Sequence, residues 1–238
     1  MDINQINQGK RVRETYKING TRKYLANMLK SSLAEYPQGT GSSYFETDRL
    51  MALKAKLHEQ NEHVSITSVI AKVMTEALKK HPVMNSALIN GEEFFIYDSI
   101  NVGIGVGLPD GIMSVVIKEA QDKNIFEISD ELQEDIALLK AKKLPFDRMS
   151  GSTITLSNMG MLGVEQFTPF LTPPETNIIG VGITKKGLVV NDDGTTRIAS
   201  LTCFSSTVNH AAVDGLHGGL FFKDLRVMIE APEEHMGL

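Results

Sequence analysis

Residues 98–132 read DSINVGIGVGLPDGIMSVVIKEAQDKNIFEISDEL, and this stretch decides the class of fold. Between Ile100 and Ile117, runs rich in Val and Ile predict two strands joined by a turn at Pro109-Asp110-Gly111. Gly103, Gly105 and Gly107 alternate along one face of the first strand. Such spacing marks close approach of a neighbouring element. A dinucleotide loop is disfavoured, because the pattern is not GxGxxG and no helix follows directly. The apolar period then lengthens. Over 124–143, Ile125, Ile128, Leu132, Ile136 and Leu139 line one helical face. Glu127, Asp130, Glu131, Glu134 and Asp135 sit early and Lys140, Lys142 and Lys143 late, an order that suits the helix dipole. Pro145 ends the helix.

Towards the amino terminus, Asn90-Gly91 predicts a hairpin between Ser86–Ile89 and Glu93–Tyr97, since both turn residues tolerate positive φ. A helix precedes it, capped by Thr67 or Ser68, striped by Val69, Ile70, Val73, Met74, Ala77 and Leu78, and stopped at His81-Pro82. Asp48 is placed to cap a further helix through Leu57. Ahead of that lie a short strand at 44–47, a loop by composition over 36–43, and a first helix from Thr21 to Glu35. That helix shows Tyr24, Leu25, Met28, Leu29 and Leu33 on one face. Towards the carboxyl terminus the pattern is β over Thr153–Asn158, Asn177–Thr184, Gly187–Asn191 and Thr195–Val208. Asn191-Asp192-Asp193-Gly194 forms a turn, and a closing helix spans Asp214–Glu230. No repeat or linker interrupts the chain. The expectation is a polar arm over 1–18 and one α/β domain over 19–238.

Composition narrows the function classes. The 238 residues carry 24 basic and 29 acidic side chains, a net charge of −5, with 42% hydrophobic residues. No basic stripe favours nucleic acid, and no apolar run of membrane-spanning length occurs. Cys203, the single cysteine, excludes an internal disulfide framework and sits in an apolar strand as core filler. The polar start, MDINQINQGKRVRE, has no signal-peptide core. A cytoplasmic protein bound to neither membrane nor nucleic acid is expected.

The segment with chemistry is Ser205-Ser-Thr-Val-Asn-His-Ala-Ala-Val-Asp-Gly-Leu-His-Gly-Gly219. A strand ends at His210, a short turn follows, and Asp214 opens a helix. A neutral imidazole there can accept a proton, and Asp214 can cap the helix and hold the loop. Spacing alone leaves other readings open: a surface histidine, a simple N-cap, or His210, Asp214 and His217 as metal ligands. The last lacks a fourth ligand. A serine hydrolase lacks the GxSxG elbow that would present its nucleophile.

His210-Ala-Ala-Val-Asp214-Gly215 resembles HxxxDG, the signature of the dihydrolipoamide acyltransferase catalytic domain of 2-oxo acid dehydrogenase complexes. That family is similar in turn to chloramphenicol acetyltransferase. The resemblance runs collinearly from about residue 18 to 232. It includes Ile18-Asn-Gly-Thr-Arg22-Lys, the run 98–132, GSTITLSNMGMLGV at 151–164 and PPETNIIGVG at 173–182. It implies a chloramphenicol acetyltransferase-like α/β fold, a two-layer mixed β-sheet flanked by helices. It also implies exchange of an acyl group between coenzyme A and a dihydrolipoyl thiol, without a metal. His210 would be the general base, Ser157 the oxyanion donor and Asp214 the residue that orders the loop. The coenzyme A-binding residues are not located. A homotrimer with active sites between subunits follows, or a larger core of such trimers, served by a lipoyl-carrying protein.

The chain departs from that family at three places. Asn209-His210-Ala211 stands where the family has Asp-His-Arg, and Leu216-His217 looks like chloramphenicol acetyltransferase. Arg22 is a candidate charge partner for Asp214 in place of the missing arginine. The end, Ala231-Pro-Glu-Glu-His-Met-Gly-Leu238, makes a weak apolar hook, which favours a free trimer. No lipoylation segment is visible, so the chain is either the excised catalytic core of a longer protein or a stand-alone relative that takes its lipoyl group in trans, and the polar start at Met1 favours the second. The alternatives are a coenzyme A-dependent acyltransferase acting on a small-molecule hydroxyl or amine, and a catalytically weak trimeric scaffold.

Overall fold

The computed structural model describes residues 8–108 and 111–237. The proposed turn at Pro109-Asp110 lies outside the described residues, as do the first seven residues of the arm. Residues 8–19 are exposed and without helix or strand. The elements that follow are α1 (Gly20–Glu35), β1 (Gln38–Glu46), α2 (Asp48–Gln60), α3 (Ile66–Lys80), β2 (Ser86–Ile89), β3 (Glu93–Ile96), β4 (Val102–Leu108) and β5 (Gly111–Ile117). The chain continues through α4 (Ile125–Lys140), β6 (Ile154–Asn158), β7 (Asn177–Val190), β8 (Thr196–Asn209) and α5 (Gly215–Glu230). Six strands form one sheet in the order β1-β8-β7-β6-β4-β5. The β4–β6 and β6–β7 pairs are parallel and the others antiparallel. β2 and β3 make a separate hairpin, with Asn90 and Gly91 both at positive φ.

Strand alternation gives the large sheet two unlike faces. Ile154 and Leu156 of β6, Ile179 and Val181 of β7, and Phe204 and Val208 of β8 point into the core. There they meet Val73 and Met74 of α3, Ile128 and Leu132 of α4, and Phe221 and Leu225 of α5. Phe45 of β1 stacks on Phe204 with ring centroids 4.6 Å apart and meets Phe222 of α5 at 5.0 Å. The alternate residues, Thr155, Ser157, Gly180, Cys203, Ser205 and Thr207, form a second face that is small and mostly polar.

A segment after β6 lies across this second face. Ser205 Oγ donates to the Phe167 carbonyl (2.9 Å), the Ile183 N–H to the Val164 carbonyl (2.7 Å), and Tyr44 Oη to Glu165 (2.8 Å). Two glycines permit that approach. A Cβ on Gly180 would come within 2.5 Å of Ser205 Oγ and 3.0 Å of the Phe167 ring, and one on Gly182 would overlap the Glu165 carbonyl. Gly103 serves the same purpose against Ser152, whose Cβ would lie 2.9 Å away.

Several expected boundaries change, each for a tertiary or capping reason. The expected loop over 36–43 is mostly strand, because β1 pairs with β8 from Gln38 to Glu46 and Thr40 bonds Thr207 side chain to side chain at 2.8 Å. Partner strands override weak local propensity. Asp48 is not a cap: Thr47 holds that position, and the Asp48 carboxylate accepts the Ser200 N–H and hydroxyl, both at 2.7 Å. Those bonds, the hydroxyl first, lower its pKa to about 2. Ser65 caps α3 in a reciprocal capping box with Ser68. α4 ends at Lys140, where Lys142 at φ 57° closes a Schellman-type turn through Lys143 N–H to the Leu138 carbonyl (2.8 Å). β7 is one strand with a bulge between Val181 and Thr184. The apolar stripe of α1 is only half met: Leu25, Met28 and Leu29 are half-buried, whereas Tyr24 and Leu33 are exposed.

Because backbone atoms oppose the new methyl group, Gly182→Ala should lower stability by about 3 kcal/mol, at the upper end for overpacking. Gly107→Ala is the control, since a Cβ there meets nothing within 4 Å. Urea midpoints measure both, and equal midpoints would refute the close-approach explanation.

Candidate active site

His210 follows the last residue of β8, and its position is set from the backbone outward. Its N–H donates to the Pro37 carbonyl at 2.8 Å, while the Asn209 N–H donates to the Thr176 carbonyl at 2.8 Å. The end of β8 is thus clasped between the entry to β1 and the entry to β7. The imidazole lies on Gly39, where a Cβ would stand 3.1 Å from its Cδ2. His210 is exposed, and its ring makes no hydrogen bond to a described residue. Buried Asn209 starts the turn: its side-chain oxygen accepts the Ala211 N–H at 3.1 Å, and its carbonyl accepts the N–H groups of Ala212 and Val213.

Asp214 ends that turn as the N-cap of α5. Its Oδ1 accepts the His217 N–H at 2.9 Å and stands 2.8 Å from His217 Nδ1. These bonds, the backbone one first, hold the Asp214 carboxyl below its ordinary pKa. The expected charge partner Arg22 is not among its contacts: no ion pair joins the two among the described residues, and His217 takes that place. Nor does a metal cluster form, since no group of three His, Cys, Asp or Glu residues is placed to hold one among the described residues.

Ser157 is half-buried near the end of β6, on the small polar face. The next residue anchors it. Asn158 Nδ2 donates to Thr67 Oγ1 at 3.1 Å, and Asn158 Oδ1 accepts the Gly160 N–H at 2.9 Å. Ser157 stands opposite Gly180 of β7, and Gly180 opposite Ser205 of β8. His210 lies five residues past Ser205, hence roughly 16 Å along the strand direction, and two strands, about 10 Å, across the sheet. One copy of the chain therefore brings His210 and Asp214 into one loop but keeps Ser157 away from both. The seat made by Pro37 and Gly39 has no signal in the sequence, since it depends on a long-range pairing. The Asp214–His217 bond does have one, in the i,i+3 spacing.

Beside this loop, Glu175 precedes β7 and is 2% exposed. Thr155 Oγ1 donates to one carboxylate oxygen at 2.7 Å, and Ser152 Oγ donates to the other. Burial outweighs those bonds and raises its pKa from 4.5 to about 7.

The six-stranded mixed sheet with helices packed on one face is the chloramphenicol acetyltransferase fold. A chloramphenicol acetyltransferase superposes with a TM-score of 0.56 at 15% identity, over 89% of this chain and 96% of that one. Within that fold class the family is specific: the family model described as 2-oxoacid dehydrogenases acyltransferase (catalytic domain) matches residues 10–237, and the chain belongs to that family. The acetyltransferase component of the acetoin cleaving system of Bacillus subtilis is 29% identical over 90% of this chain and 55% of its own length. A probable dihydrolipoamide acetyltransferase from Listeria monocytogenes superposes with a TM-score of 0.85 at 25% identity, over 91% of this chain and 94% of that one. The chain spans about half the length of the curated relatives it matches. No helix among the described residues is long and apolar enough to cross a membrane.

A folded-state pKa above the ordinary value means that the native protein holds the Glu175 proton more tightly than the unfolded chain. The stability this contributes is fully present below about pH 4.5 and is lost as pH rises through about 7. Glu175→Gln should remove the loss, leaving the variant more stable than wild type by roughly 3 kcal/mol at pH 8 and little changed at pH 4.5. Urea midpoints across that range measure the difference, and parallel curves would contradict it.

Proposed function

We propose that this domain transfers an acyl group between coenzyme A and a dihydrolipoyl thiol, in active sites assembled between neighbouring copies of the chain. The observation that carries the proposal is the separation of Ser157 from His210 within one copy. A site that uses both must take the histidine from one copy and the serine from the next. The exposed Tyr24 and Leu33 on α1 fit an assembly that buries further surface.

His210 acts as general base. A free thiol with a pKa near 8.5 is mostly protonated at neutral pH, so the imidazole removes the S–H proton as the sulfur attacks the thioester carbonyl. The new C–S bond forms, and the carbonyl π pair moves onto oxygen. Ser157 Oγ donates a hydrogen bond to that oxyanion. Collapse breaks the original C–S bond, and the imidazolium returns the proton to the departing thiolate. Asp214 holds the loop that carries the imidazole. Both thiols are substrates presented to the domain, and the chemistry needs no metal. Family membership supports the reaction class, and the coenzyme A-binding residues stay unassigned.

Transfer from acetyl-coenzyme A to dihydrolipoamide tests the reading. His210→Ala should abolish it, and Ser157→Ala should cost about 10²–10³ in kcat, as expected for one oxyanion donor. In mixed assemblies formed by unfolding and refolding the two variants together, a site is intact when its histidine side comes from Ser157→Ala and its serine side from His210→Ala. With random closed assembly from equal amounts, each condition holds at half the positions, and half of half returns about one quarter of wild-type activity. Mixtures no more active than the variants alone would place the whole site within one copy. Absence of transfer by the wild type, across acyl chain lengths, would sink the reaction itself.

A further inference from the structure

We infer that His217 is a positioning residue for the catalytic loop, acting through Asp214; this rests on the reaction proposed above. Two groups of His217 converge on one oxygen: its backbone N–H and its Nδ1 stand 2.9 and 2.8 Å from Asp214 Oδ1. A carboxylate only accepts, so the ring nitrogen facing it carries the proton, and the imidazole orientation follows. The hydrogen bond is charge-assisted whether the ring is neutral or cationic.

The geometry explains why a side chain is needed beyond the helix cap. Between Asn209 and Asp214 the chain makes a short turn carrying His210, which has no ring hydrogen bond of its own to a described residue. The near end of that turn is clasped by buried Asn209. Its far end is Asp214, which is exposed, and a backbone N–H alone would leave its carboxylate free to rotate about that single bond. The second bond, from Nδ1, removes that freedom. Asp214 has no guanidinium partner among the described residues, and Arg22, the candidate by charge, does not reach it. His217 therefore does here what a fixed cation would do, from one turn further along α5.

Three variants separate this role from simple helix capping. His217→Ala keeps the backbone N–H and so the cap, and an exposed pair contributes little to global stability. His217→Asn puts an amide N–H close to the position of Nδ1, and His217→Gln moves it outward by one methylene. The expected result is a kcat lower by about tenfold in the alanine and glutamine variants with KM for acetyl-coenzyme A little changed, and near wild type in the asparagine variant. Thermal midpoints should be nearly equal in all three. Hydrogen exchange of amides 211–213 should quicken with His217→Ala and return to the wild-type rate with His217→Asn. That second readout needs no turnover, so it decides the positioning role even if the acyl acceptor has been misassigned. Unchanged exchange and unchanged kcat in His217→Ala would overturn the inference. So would an asparagine variant as impaired as the alanine one.

Discussion

The pairing of β8 with β1 on one side and β7 on the other is the constraint from which the rest follows. Backbone N–H and C=O groups taken out of water must find partners, and β8 (14 residues) meets that demand with β7 along most of its length and with β1 from Leu201 to Asn209. The register thereby fixed delivers Asn209 to Thr176 and His210 to Pro37. The same register places Ser157, through Gly180, level with Ser205 and far from His210. A ladder of neutral hydrogen bonds thus sets both the position of the proposed base and its separation from Ser157 within one copy.

Side-chain alternation on that ladder divides the work between two faces. The apolar face is covered by helices and carries most of the hydrophobic stabilisation, which scales with buried apolar area. The small polar face is where Ser157 stands and where the segment around Phe167 lies close to the backbone. Bulk at Gly180 or Gly182 would lift that segment from the sheet. The glycines of the PPETNIIGVG run are therefore packing requirements of the surface beside Ser157.

Polar groups near the site are arranged unevenly. His210, Asp214 and His217 are exposed in one copy and held by few bonds, whereas Asn209, Thr176 and Glu175 behind them are buried. This suits the proposed role of the loop, to meet substrates while its root stays rigid. Glu175 is the costly member, a carboxyl with two hydroxyl donors and burial that disfavours its charge.

The sequence by itself determined the period of α3, α4 and the strands around the core, the alternation that puts Ile154 and Leu156 opposite Thr155 and Ser157, and the turn that links His210 to Asp214. These are local properties, set by a spacing of 2 or 3.6 residues and by Gly, Pro and Asn at turns. Resemblance added Ser157, which no local pattern marks. Tertiary structure alone decided that 38–43 is strand, since a partner ladder outweighs the weak propensity of Gly, Ser and Thr. It alone seated His210 on Gly39, joined Asp48 to Ser200 across 152 residues, and gave Asp214 His217 rather than Arg22 as its partner. Charge suggested Arg22, but a hydrogen bond depends on reach, and only the folded chain fixes which donor is within 3 Å of a given oxygen.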